Sequence, residues 1–101
     1  MSTPEHEHDD EQRQPYTLTL RRPARRALAE ELPLEAAMAV GELLSGDLLT
    51  SPRRVGKRLY PPLNHLYSAR RGEYRILYEI NDHTRTVTVA SIRHRRDAYH
   101  T

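Results

Sequence analysis

Hydrophobic and polar residues first alternate at Tyr16–Leu20, where Tyr16, Leu18 and Leu20 fall on one side and Thr17 and Thr19 on the other. A period of two predicts a half-buried strand. Pro23 stops it and suits the first turn of a helix. Ala24, Ala27, Leu28 and Leu32 then recur at helical spacing as far as Pro33. A second helix is predicted from Leu34, Ala37, Met38, Gly41, Leu44 and Leu48, with Ala36, Val40 and Leu43 beside them, so that it buries a wide face. Its Leu and Met residues read as core.

Residues 50–64 hold three prolines, one glycine and four basic side chains, which predicts a loop with little regular structure. Alternation returns from about His65 to Arg71 and from Tyr74 to Ile80, where Tyr74, Ile76, Tyr78 and Ile80 share a face. Gly72-Glu73 suits a tight hairpin, Asn81-Asp82-His83 a turn, and Thr86–Ile92 a last strand. The order predicts an α+β domain over residues 16–101. An N-terminal strand and a helical hairpin precede a three-stranded antiparallel meander, forming one sheet with the helices on one face. Residues 1–15 have almost no apolar side chains and are expected to be a disordered acidic tail. His6 and His8 in that tail alternate with carboxylates, a pattern read as solvated.

Composition changes the picture through what is missing. The chain has no Cys, Trp or Phe, so the core is aliphatic and there is no thiol chemistry or disulfide framework. No apolar run approaches the ~20 residues of a membrane span, and the acidic start is wrong for a signal peptide. A cytoplasmic protein with no membrane association is expected.

Net charge is +2, but it is unevenly spread. Residues 1–15 carry five acids against Arg13, for −4, and residues 52–101 carry eleven basic residues against four acids, for +7. Every basic residue except Lys57 is Arg, and five of six Tyr lie beyond residue 59. Arginine forks suit phosphate and stack on bases, so basic groups interleaved with aromatics point to single-stranded nucleic acid.

Two segments, Leu66–Ile80 with its GEYRILY strand and the ending Ile92–Tyr99 with HRRDAY, resemble the RelE/ParE toxin superfamily, and its RelE branch in particular. The similarity spans about residues 16–100. It implies the toxin of a type II toxin–antitoxin system: a ribosome-dependent endoribonuclease that cuts messenger RNA by 2′-hydroxyl attack on the phosphate, using no metal and no cofactor. The implied partners are a cognate antitoxin, the ribosome and mRNA.

By position, the resemblance implies that Arg75 stabilises the phosphate, that Arg93 acts near the leaving group and that Tyr99 orients the nucleotide; His94 and Arg95 complete the expected catalytic set. Lys57, Arg58, Arg70 and Arg71 are expected to grip RNA phosphates. Some relatives carry a pair of lysines where this chain has Leu66 and Ser68. Histidine is the side-chain type that titrates near neutrality, so His94, or else His65, is expected to transfer the proton. The alternatives are a ParE-like gyrase inhibitor on the same fold and a catalytically degenerate RNA-binding relative.

Overall fold

The structure, a computed structural model, describes residues 14–97. The expected tail therefore lies outside the described residues up to position 13, as does Tyr99. Strand β1 (Thr17–Leu20) leads into helix α1 (Arg22–Arg26), which continues as a π-helical segment, Ala27–Glu31. Helices α2 (Leu34–Ser45), α3 (Asp47–Thr50) and α4 (Pro52–Val55) follow. The strands β2 (Lys57–Arg58), β3 (Tyr67–Arg71), β4 (Tyr74–Asn81) and β5 (Thr86–His94) complete the fold.

The helical hairpin and the β3–β4–β5 meander form as expected, but the sheet corrects the sequence reading in two ways. It has five strands in the order β1-β5-β4-β3-β2, and β1 pairs parallel to β5, so the sheet is mixed. The crossover through the helices returns β1 to the far edge, a connection the strand order alone does not fix. The segment expected to be a loop holds α4 and β2, because Gly56 lets the chain pass close against β3. A Cβ there would lie 2.7 Å from the Ser68 carbonyl oxygen and 2.5 Å from the Tyr78 hydroxyl.

Helix ends follow local chemistry. Pro33 has no N–H to continue the first helix and forces Leu32 into an extended conformation (ψ 139°). The last turn widens, with the Leu32 N–H reaching the Ala27 carbonyl at 2.9 Å. The second helix breaks at Gly46 (φ −120°, ψ −104°), so Leu48 sits on the separate α3.

The core lies between helices and sheet. Ala24, Ala27, Val40, Leu43, Leu44 and Leu48 pack from the helices against Ala69, Ile76, Tyr78, Val87, Val89 and Ile92 from the strands. The expected wide face of α2 is rotated: Val40, Leu43 and Leu44 are buried, whereas Leu34 and Met38 are 76% and 61% exposed and are not core. Helical geometry puts positions 34 and 38 one turn apart on the flank that turns away from the sheet. Tyr78 is wholly buried, and its hydroxyl donates to the Pro52 carbonyl at 2.6 Å. That bond ties α4 to the sheet centre.

Strand β5 carries one irregularity. Leu77 pairs with Ser91 but Tyr78 pairs with Val89, leaving Ala90 as a β-bulge. The extra residue changes which face the next side chains take. Val87 and Val89 point into the core, and past the bulge Ile92 does too. Ser91 and Arg93 are thereby delivered to the opposite face, the one on which no helix of the described residues packs.

Candidate nucleic-acid interface

Directly opposed residues of antiparallel strands place their side chains on the same face. Ile76, paired with Ala69 and Ile92, faces the helices, so the neighbouring positions face away from them. One row across the open face is Arg70–Arg75–Arg93, on β3, β4 and β5. A second row, two residues along, is Lys57–Ser68–Leu77–Ser91. Strands stand 4.7–4.9 Å apart, so the arginine row spans roughly 10 Å of backbone.

These rows floor a groove of about 430 Å³, lined by Arg75, Arg93, Ser68, Ser91 and Leu77, with Leu59, Leu63 and Leu66 from the β2–β3 loop forming a wall. Among the described residues, no carboxylate pairs with Arg70, Arg75, Arg93 or Lys57. Like charges directly opposed across strands weaken a sheet. Three in a row without a compensating acid are therefore a cost to folding, and a polyanion removes it. The serine hydroxyls can donate to phosphate or sugar oxygens, and the leucines give an apolar surface on which a base can lie.

The other expected site residues are distributed around this groove. Arg71, next to Arg70 in sequence, pairs with Tyr74 on the helix side and reaches Glu42 of α2 at 3.5 Å. Arg58 turns to the loop, its Nε donating to the Asn64 carbonyl at 2.7 Å. Arg95 is exposed in the turn after β5, anchored by its N–H to the Glu73 carbonyl at 2.7 Å.

His94 pairs with Tyr74 on the helix side of the sheet, on the face opposite Arg75, and lines a depression of about 310 Å³ together with Arg93, Glu31 and Asp97; the His94 and Tyr74 rings meet edge to face at 5.2 Å. Both its nitrogens are used. Nδ1 accepts from the Arg96 N–H at 3.1 Å, which leaves Nε2 to donate to Glu73 at 2.9 Å. A ring so engaged ties the turn after β5 to Glu73. His65 is exposed in the β2–β3 loop between Leu63 and Leu66, which line the groove.

Several groups at this surface were not singled out from the sequence. Ser68 and Leu77 lie in the segment that carries the family resemblance but were given no binding role, Ser91 carries no motif, and only the pairing register brings the three together. Tyr60, on the same loop, is 89% exposed, an unusual state for an aromatic side chain. Beyond β5, Arg22 and Arg26 line an adjoining depression with Arg93. Their spacing of four in the run RRPARR was the available signal.

Residues 16–99 match the family model of the ParE toxin of the type II toxin–antitoxin system parDE. Toxin RelG of Mycobacterium tuberculosis H37Rv is 46% identical over 85 residues, covering 84% of this chain and 97% of that protein. Toxin RelE of the same strain is 40% identical over 85 residues, covering 84% and 87%. The fold is similar to the crystal structure of the M. tuberculosis RelBE2 toxin–antitoxin complex, with a TM-score of 0.76 and 44% identity over 80% of this chain and 99% of that one. With a family model matched over most of its length and relatives at 40% and 46% identity, this chain belongs to the RelE/ParE superfamily of type II toxin–antitoxin toxins, among the RelE and RelG proteins.

Proposed function

We propose that this toxin cleaves messenger RNA on the ribosome and that the open face of its sheet is the cleaving surface. The observation that carries the reading is the uncompensated Arg70–Arg75–Arg93 row. In the reaction the ribose 2′ oxygen attacks the adjacent phosphorus as its proton passes to a base. The P–O5′ bond breaks and the leaving oxygen takes up a proton, so the products are a 2′,3′-cyclic phosphate and a free 5′-hydroxyl. Charge grows on the phosphoryl oxygens, and fixed donors aimed there stabilise the transition state more than the ground state.

Arg75, half-buried at the centre of the row, is assigned to the phosphoryl oxygens, and Arg93, opposite it, to the leaving-group side. Arg70 and Lys57 take flanking phosphates. Arg95 and Tyr99, which follow β5, are assigned to the neighbouring nucleotides. Guanidinium groups stay protonated and cannot accept the 2′ proton. His65 is assigned that step, since its loop borders the groove and its ring has no hydrogen-bond partner among the described residues. His94 is assigned to holding the turn that carries Arg95. Arg58 and Arg71 act on the scaffold, through Asn64 and Glu42.

A protein antitoxin is the expected partner, because the related M. tuberculosis RelBE2 structure is a toxin–antitoxin complex. An acidic segment would complement the exposed basic face. Acting on ribosomes puts the work of this protein in the cytoplasm. Inducible expression tests the reading: translation should stop, with new 5′ ends in messages engaged by ribosomes. Growth arrest with intact messages and broken DNA would instead mark a gyrase inhibitor.

A further inference from the structure

Four arginines surround the start of α1, and they divide into two pairs. Arg21 reaches Glu79 at 3.4 Å, and Arg25 donates to the Leu20 carbonyl at 3.3 Å. Arg22 and Arg26, one helical turn apart, have no such partner among the described residues. Like charges at this spacing weaken a helix. Both are exposed, and they line a depression of about 480 Å³ with Pro23, Ser91, Ile92 and Arg93. Glu31 is the one carboxylate among the described residues that line it.

Position makes this pair more than surface charge. Strand β1 covers β5 only from Thr86 to Val89, and its last bond runs from the Arg21 N–H to the Val89 carbonyl at 2.9 Å. The chain then turns at Pro23, and α1 runs beside the half of β5 that β1 leaves uncovered. Ser91 and Arg93 belong to the walls of both depressions, so β5 is a shared ridge between them. Past Arg93, the end of the Arg70–Arg75–Arg93 row, the next cations are Arg22 and Arg26, which share a depression with it.

We infer that one RNA strand crosses the sheet along the arginine row and continues over α1, where Arg22 and Arg26 bind two phosphates outside the cleavage point. The inference rests on the ribonuclease reading above and extends it from a cleavage site to a strand path.

The full-length protein is titrated with a fluorescent, mixed-sequence 2′-O-methyl RNA 12-mer, which lacks the attacking hydroxyl, between 50 and 300 mM salt. Alanine is the best helix former, so R22A/R26A should keep α1, as circular dichroism can verify. Loss of two phosphate contacts should make the slope of log affinity against log salt shallower by about 1.4, and weaken binding roughly 10- to 100-fold at 50 mM salt. R22K/R26K, which keeps the charges, should stay near wild type, and R93A should also lose slope. If R93A loses slope and R22A/R26A binds like wild type, the path over α1 is overturned while the reading of the open face stands. A wild-type protein that binds no strand at all would overturn the path, while the ribonuclease reading is judged by cleavage on ribosomes.

Discussion

Arg75 on β4 and Arg93 on β5 are directly opposed across the sheet, and Arg70 on β3 opposes Arg75 from the other side. Such a row weakens the fold that holds it, which gives function and stability opposite signs. R75A and R93A should each slow RNA cleavage roughly 100- to 1000-fold, the usual effect of deleting one donor to a charged transition state. The same changes should leave unfolding free energy unchanged or raise it by roughly 0.2–1 kcal/mol, because a like-charge pair is relieved. Urea denaturation run beside the cleavage assay checks this, and joint loss of stability and activity would mean the arginines are structural.

The two histidines should separate cleanly. His65→Gln should lower cleavage roughly 100-fold or more and remove a limb of the pH–rate profile, as expected for a group that moves a proton. His94→Gln should keep the pH profile and act through the turn, by loosening the hydrogen bond to Glu73. An H65Q profile identical to wild type would remove His65 from the mechanism.

Tyr78 and Gly56 are coupled at the centre of the scaffold. Burial, followed by the neighbouring Tyr67, pushes the Tyr78 hydroxyl up to about 12, so it remains a donor to the Pro52 carbonyl. Tyr78→Phe leaves that buried carbonyl without its donor and should cost roughly 1–3 kcal/mol. Gly56→Ala forces a Cβ into the backbone oxygen of Ser68 as well as the Tyr78 hydroxyl, so strand β2 must move. It should destabilise the domain and displace Lys57 from its row, seen as a lower denaturation midpoint together with weaker RNA binding.

Acid should test the link between α4 and the β4–β5 turn. The Asp82 carboxylate accepts two bonds from Arg53, at 3.0 and 2.8 Å, and one from the Tyr16 hydroxyl at 2.5 Å. These, with Arg53 foremost, hold its pKa below the ordinary 3.8. The stabilisation is therefore present above the unfolded-state value and lost as pH falls through the lower folded one. Both partners are more than half exposed, so it is worth about 1 kcal/mol or less. Stability measured from pH 6 to 2 should drop less steeply in D82N than in wild type.

Much of the fold was legible because its periods are clean. The meander follows from Tyr74, Ile76 and Tyr78 alternating with polar positions, and the hairpin from Gly72, which takes φ +61° as a tight turn requires. The parallel pairing of β1 was not legible, since Leu18 and Leu20 bury the same face whichever way the neighbouring strand runs. Nor was the flank position of Leu34 and Met38, because a helix with apolar residues most of the way round does not disclose which stripe meets the sheet. At the site, Arg75 and Arg93 could be named from the family resemblance, but their meeting on one face depends on Ala90. The only trace of that bulge is the break in period between Val89 and Ile92. The same facing rule divides pairs adjacent in sequence, such as Arg70 from Arg71 and Arg93 from His94.

The most direct test of the open face as a cleaving surface uses purified ribosomes programmed with a defined message, followed by chemical analysis of the cut ends. Wild-type protein should yield fragments with 5′-hydroxyl and cyclic-phosphate ends, only when ribosomes are present, and R75A should yield them at least roughly 100-fold more slowly. An intact message with wild-type protein, or cleavage undiminished in R75A, would contradict the assignment of the Arg70–Arg75–Arg93 row to phosphoryl chemistry.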